Sequence, residues 1–142
     1  MGERRRAREH ALQMLFQIDL TGGTPEEVFR QFWKGHAAQG PTRAFAEQLV
    51  LGVHDRPDEL DRLIAGSADN WKVDRMAVVD RNVLRMAIYE LMHEPETPAA
   101  VVIDEAIEVA KKFGSEKSGT FINGVLDSIR QRIVHPEPGA SS

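Results

Sequence analysis

Between Val79 and Met92 the chain reads VDRNVLRMAIYELM, and its apolar residues Val83, Leu84, Ala87, Ile88, Leu91 and Met92 share one side of a 3.6-residue period. Three to four apolar positions per two turns make a stripe wide enough to face a core, and no period-2 alternation competes with it. The pattern repeats on both sides. Downstream, Val102, Ile103, Ala106, Ile107, Ala110 and Phe113 form a second stripe, and Phe121, Ile122, Val125, Leu126, Ile129 and Ile133 a third. Upstream, residues 4–20 group Ala7, Ala11, Leu12, Leu15 and Phe16. Then come Val28, Phe29, Phe32 and Trp33, next Phe45, Leu49, Val50 and Val53, and finally Leu60, Leu63 and Ile64. The predicted fold class is all-α: about seven helices with short loops and antiparallel packing of neighbours.

Local signals divide the helices. Gly22-Gly23 ends the first. Thr24-Pro25-Glu26-Glu27 supplies a hydroxyl N-cap, a proline at N1 and acids in the first turn of the second, which stops near Gly35. Pro41 opens the third helix and Pro57 restarts the chain after it. Asp74 or Asp80 is a candidate helix start, Thr97-Pro98 repeats the hydroxyl-proline signal, Gly114 sits where a C′ glycine belongs, and Ser118 is placed to cap the last helix. A weak division at residues 66–73 separates an N-terminal half (about 4–68) from a C-terminal half (about 72–134) within one domain, 1–134. Residues 135–142, HPEPGASS, have no apolar period and are expected to form a disordered tail.

The 142 residues suit one domain with a real core. Cysteine is absent, which excludes disulfides and thiolate metal sites and fits a reducing compartment. The formal charge is −4 but unevenly spread: Arg4, Arg5, Arg6 and Arg8 make the first ten residues net basic and leave an acidic body. A basic end on an acidic body points to an anionic partner at that end. No signal peptide pattern follows the arginines, and no apolar run approaches the ~20 residues that span a bilayer. A soluble, cytoplasmic protein is expected.

Several constellations invite chemistry. Glu90-x-x-His93 has the spacing of a di-metal bundle site, but no second pair accompanies it, so the alternative is a histidine near a helix C-terminus. Asp104, Glu105 and Glu108 read as a solvated face, with Glu108 and Lys112 as an i,i+4 pair. No nucleophile, phosphate loop or second histidine joins them, so no enzyme activity, metal or cofactor is expected. Arg81, Arg85 and Tyr89 repeat every four residues. They form either a salt-bridged strip or a protein-docking surface, since Arg and Tyr are common interface anchors. The run RRRAR (4–8) carries the clearest functional signal. Arginines at a helix N-terminus oppose the macrodipole, and guanidinium grips phosphate and stacks on bases. The segment lacks the apolar face of a membrane-surface helix, which favours nucleic acid. Gly124, inside an apolar helix, reads as a point of close helix packing.

Taken in order, RRRAREHALQMLFQIDL (4–20), VDRNVLRMAIYEL (79–91), PAAVVIDEAIEVAKKFG (98–114) and FINGVLDSI (121–129) resemble the NusB family of bacterial antitermination factors. The resemblance implies two packed helical subdomains and no catalysis. It also implies a partnership with the ribosomal protein NusE, binding of the pair to single-stranded boxA RNA, and assembly with other Nus factors on RNA polymerase that lets it pass terminators in ribosomal RNA operons. Matching positions make Arg4, Arg5, Arg6 and Arg8 RNA-contacting residues, with Lys117 and Phe121 beside the same surface. Phe121 is either a stacking face or a core aromatic. Phe16 and Asp80 fall where the family contacts NusE, and Phe16 lacks the hydroxyl of a tyrosine often found there. Arg81, Arg85 and Tyr89 join them as candidate partner contacts. Some family members form homodimers. The rival expectation is a helical protein–protein adaptor that binds no RNA.

Overall fold

The computed structural model describes residues 2–67 and 73–134. The expected tail at 135–142, and part of the expected division at 66–73, lie outside them. Seven helices follow one another among the described residues: α1 (Glu3–Thr21), α2 (Pro25–Gly35), α3 (Gly40–His54), α4 (Pro57–Ser67), α5 (Val78–His93), α6 (Ala99–Phe113) and α7 (Ser118–Val134). A short 3₁₀ turn, Val73–Arg75, precedes α5, and the described residues contain no strand.

Helix α5 is the hub. It packs on α1, α3, α4, α6 and α7, which explains why its burial exceeds the one-sided stripe read from sequence. Asn82, Val83, Leu84, Met86, Ala87, Ile88, Tyr89 and Glu90 are all buried. Around it, α1 lies on α3, and α6 on α7. Leu49, Leu60, Ile64, Ile122, Leu126 and Ile129 close a single continuous core. Each such side chain contributes roughly 1.5–3 kcal/mol of apolar burial.

Backbone details end the helices and let them approach one another. Gly22 takes the left-handed conformation (φ 71°) and its N–H donates to the Ile18 carbonyl, ending α1. Thr24 and Glu27 form a full capping box at α2. Gly52 of α3 lies against the Tyr89 ring so closely that a Cβ would collide with it, which lets α3 and α5 approach. At the far end, Arg132 of α7 donates to the Gly66 carbonyl at 2.6 Å and ties off α4.

Other local expectations are corrected. The residue before α5 is Ala77, and Asp80 sits in its first turn rather than at the cap. Pro98, not Thr97, precedes α6, and Gly114 ends that helix in an extended conformation. The Ser118 hydroxyl accepts from the Ser115 N–H at 2.9 Å, so it braces the preceding turn. Gly124 is exposed with nothing near its would-be Cβ, so helix packing does not explain it.

Candidate nucleic-acid interface

The N-terminal arginines diverge because successive helical residues point about 100° apart. Arg4 and Arg8, one turn apart, both reach over the Phe45 ring of α3, with guanidinium carbons 4.0 and 5.6 Å from its centroid. Arg8 continues into the core. It is 4% exposed and forms a bidentate pair with Glu90 of α5 at 2.8 and 2.7 Å, with Glu105 of α6 3.7 Å away. Arg5 turns toward α6 and grips Glu105 in the same two-pronged way, at 2.8 and 2.6 Å. That grip holds the Glu105 carboxyl below its ordinary pKa, while the carboxylate raises that of Arg5. Arg4 stays exposed, with Glu94 at 4.0 Å. Arg6 faces outward and has no ion-pair partner among the described residues.

Four arginines of similar sequence thus have unequal roles. Arg8 is an internal strut joining α1 to α5, and its guanidinium is unavailable to an outside anion. Arg5 is half-committed. Arg4 and Arg6 are presented. The opposition to the macrodipole is also smaller than the sequence implied, because Glu90, Glu94 and Glu105 from other helices surround the basic end and Glu3 stands in the first turn of α1.

Three grooves bear on the site, and of these the first includes residues of this end. The first, about 510 Å³, lies between α1 and α6 and is lined by Gly2, Arg5, Arg6, Glu9, Glu108 and Lys112. The second contains Leu12, Phe16, Phe32, His36, Val79 and Phe113. The third, about 520 Å³, is lined by Met76, Ala77, Asp80, Ser115, Lys117, Thr120 and Phe121. The end of α6 connects them, since Lys112, Phe113 and Ser115 line one each. Phe16 leaves the core stripe to which its spacing assigned it and is 40% exposed in the second groove. Asp80 and Phe121, named separately as partner and RNA residues, share the third with exposed Lys117. Phe121 is half-buried, packed against the core while lining the groove. Asp80 Oδ1 is buried and has no hydrogen-bond donor among the described residues.

The NusB family model matches residues 5–131. The chain belongs to the NusB family. The transcription antitermination protein NusB of Sorangium cellulosum is 46% identical over 133 residues, covering 94% of this chain and 95% of that protein. The structure of NusB from T. maritima matches with a TM-score of 0.81 and 36% identity over 90% of each chain. A crystal structure of antitermination factors NusB and NusE in complex with dsRNA matches with a TM-score of 0.83 and 30% identity, covering 92% of this chain and 98% of that one.

In this NusB-family chain the α5 strip is not an open docking face. Arg85 is clamped by Asp61 of α4 at 2.7 and 2.8 Å, Arg81 lies 3.6 Å from Asp19 of α1, and Tyr89 is buried against α3. Asp19 also accepts from Asn82 at 2.9 Å. The strip holds helices together, with Asp19 and Asp61 as the partners. The Glu90–His93 pair is split: buried Glu90 serves Arg8, and exposed His93 stacks on Tyr89. On α6 the expected solvated face holds at Asp104 and Glu108, which are exposed, but not at Glu105. Glu105 holds Arg5, Glu108 meets Lys111 at 3.6 Å, and Lys112 reaches across to Glu9 at 3.0 Å. Glu90 was detectable in principle, since a glutamate set between Ala87, Ile88 and Leu91 in a core stripe needs a buried cation.

No helix among the described residues is long and apolar enough to cross a membrane.

Proposed function

We propose that this chain is a cytoplasmic transcription antitermination factor. Together with NusE it binds boxA-type single-stranded RNA and, with other Nus factors, supports read-through by RNA polymerase in ribosomal RNA operons. It catalyses nothing and needs no cofactor; its work is binding. The observation that carries this is the exposed guanidinium of Arg6, without an ion-pair partner among the described residues, in a groove shared with Arg5 and Lys112, while Arg4 is also exposed. Arg4 and Arg6 bind phosphates in this proposal, Arg5 lends its outer edge, and Arg8 holds α1 in place from within. Phe121 offers a ring face to a base, and stacking of that kind is worth about 1–3 kcal/mol. Exposed Phe16 and the first-turn carboxylate of Asp80 serve the protein partner. Arg81, Arg85 and Tyr89 act on it only by fixing α5.

The test is a titration of boxA-like, scrambled and duplex RNA against the chain, with and without NusE. Tightest binding of single-stranded boxA-like RNA in the presence of NusE is expected. Preference for the duplex would overturn the single-strand assignment. Absence of any RNA binding, with NusE still bound, would leave a protein–protein adaptor.

A further inference from the structure

The α1–α6 groove holds a feature that the arginine run alone does not account for. Lys112, at the last turn of α6, is 59% exposed yet stretches to Glu9 of α1 at 3.0 Å, a contact between residues 103 positions apart. Glu9 itself is largely covered, at 20% exposure. The pair spans the groove that contains Arg5 and Arg6, and Lys112 precedes Phe113 and Ser115, which line the next two grooves. A strand passing from Arg6 toward Lys117 must cross this end of α6. An exposed lysine–carboxylate pair is worth little, about 0–1 kcal/mol. A phosphate offers Lys112 a stronger, charge-assisted bond at small cost.

We propose that Lys112 is a phosphate-binding residue for the single-stranded RNA backbone, and that Glu9 is its resident competitor, displaced when the strand enters. The proposal rests on the RNA-binding function above. Glu9 then acts as a selectivity device: it neutralises one cation of the groove toward stray polyanions, while a strand correctly seated on Arg6 brings a phosphate close enough to win. Glu105 plays a weaker version of the same part toward Arg5, because its bidentate hold is tighter.

The experiment is a double-mutant cycle. The salt dependence of boxA-like RNA binding, with NusE present, is measured for wild type, Lys112→Gln, Glu9→Gln and the double variant. Lys112→Gln should flatten the slope of log K against log salt by roughly 0.7, one phosphate contact on a single strand. Glu9→Gln should bind roughly two- to fivefold tighter at low salt, from release of a surface pair. The gain should vanish when Lys112 is also replaced. Unchanged slope in Lys112→Gln, or a Glu9→Gln gain that survives in the double variant, overturns the proposal. Wild type that binds no RNA removes the parent function instead, a result distinct from either.

Discussion

Two arginine pairs in this molecule look alike on paper. Arg4 and Arg8 lie one helical turn apart at the start of α1, and Arg81 and Arg85 lie one turn apart on α5. The α5 pair is held by Asp19 and Asp61, and its side chains are only 17% and 16% exposed. The α1 pair splits: Arg8 is 4% exposed on Glu90, while Arg4 is 58% exposed. Arginine spacing therefore does not define an anion site. What defines it is where each helix meets its neighbours. Helix α5 is surrounded, so its arginines meet carboxylates of other helices. On the first turn of α1, Arg5 meets a carboxylate of α6, while Arg4, over the Phe45 ring of α3, and Arg6 remain exposed.

The contrast can be broken most violently at Arg8. Arg8→Ala leaves Glu90 charged and buried, which should cost about 3–5 kcal/mol in a denaturant melt. Replacing both residues with apolar side chains of similar size should recover most of it. A mild effect of Arg8→Ala would mean that its carboxylates find water and that α1 is less tightly docked than its geometry shows. Next in size comes Arg85→Ala, which breaks a partly buried bidentate pair and is expected to cost about 1–3 kcal/mol, with RNA affinity unchanged. A selective loss of NusE binding at full stability would restore the α5 strip as a docking face.

A smaller effect comes with acid. His10 of α1 is caged by Phe32, Trp33 and His36, with both ring nitrogens unpartnered among the described residues. Burial lowers its pKa, and the nearby His36 and Arg6 lower it further, against a weaker pull from Glu9. The unfolded chain therefore takes up this proton first, near the ordinary histidine value of about 6.5, and stability should fall as pH drops below that point until the folded form also titrates. Thermal melts at pH 7.5 and 5.5 should differ, and His10→Gln should shrink the difference. Glu105 contributes in a separate, lower window. Its pKa is depressed by Arg5, so its share is lost as pH falls below the ordinary carboxylate range.

Helix type and extent were legible because stripes such as Val83 to Met92 and Val102 to Phe113 repeat a local period, and the Thr24 cap and the Gly22 stop are local too. Glu90 and Glu105 escaped as partners because they meet Arg8 and Arg5 across 82 and 100 residues of chain. Phe16 was misassigned for a related reason: spacing puts it on the stripe with Leu12 and Leu15, but no neighbouring helix covers the end of that face, and it opens into the groove beside Val79 and Phe113. Lys112 carried an i,i+4 partner in its own helix, and only the packing of α6 on α1 shows that Glu9 takes it instead. Periodicity reports which side of a helix is apolar; it does not report which charged residues a neighbour will claim.

The presentation of Arg4 and Arg6 is tested most directly by the salt dependence of boxA-like RNA binding to the Arg4→Ala/Arg6→Ala variant, with NusE present. Folding stability should stay within about 0.5 kcal/mol of wild type, since both side chains are exposed. The slope of log K against log salt should flatten by roughly 1.4, at ~0.7 for each lost phosphate contact, with affinity falling for all single-stranded sequences alike. A folded variant that binds with the wild-type slope would contradict the account and place the RNA on another face.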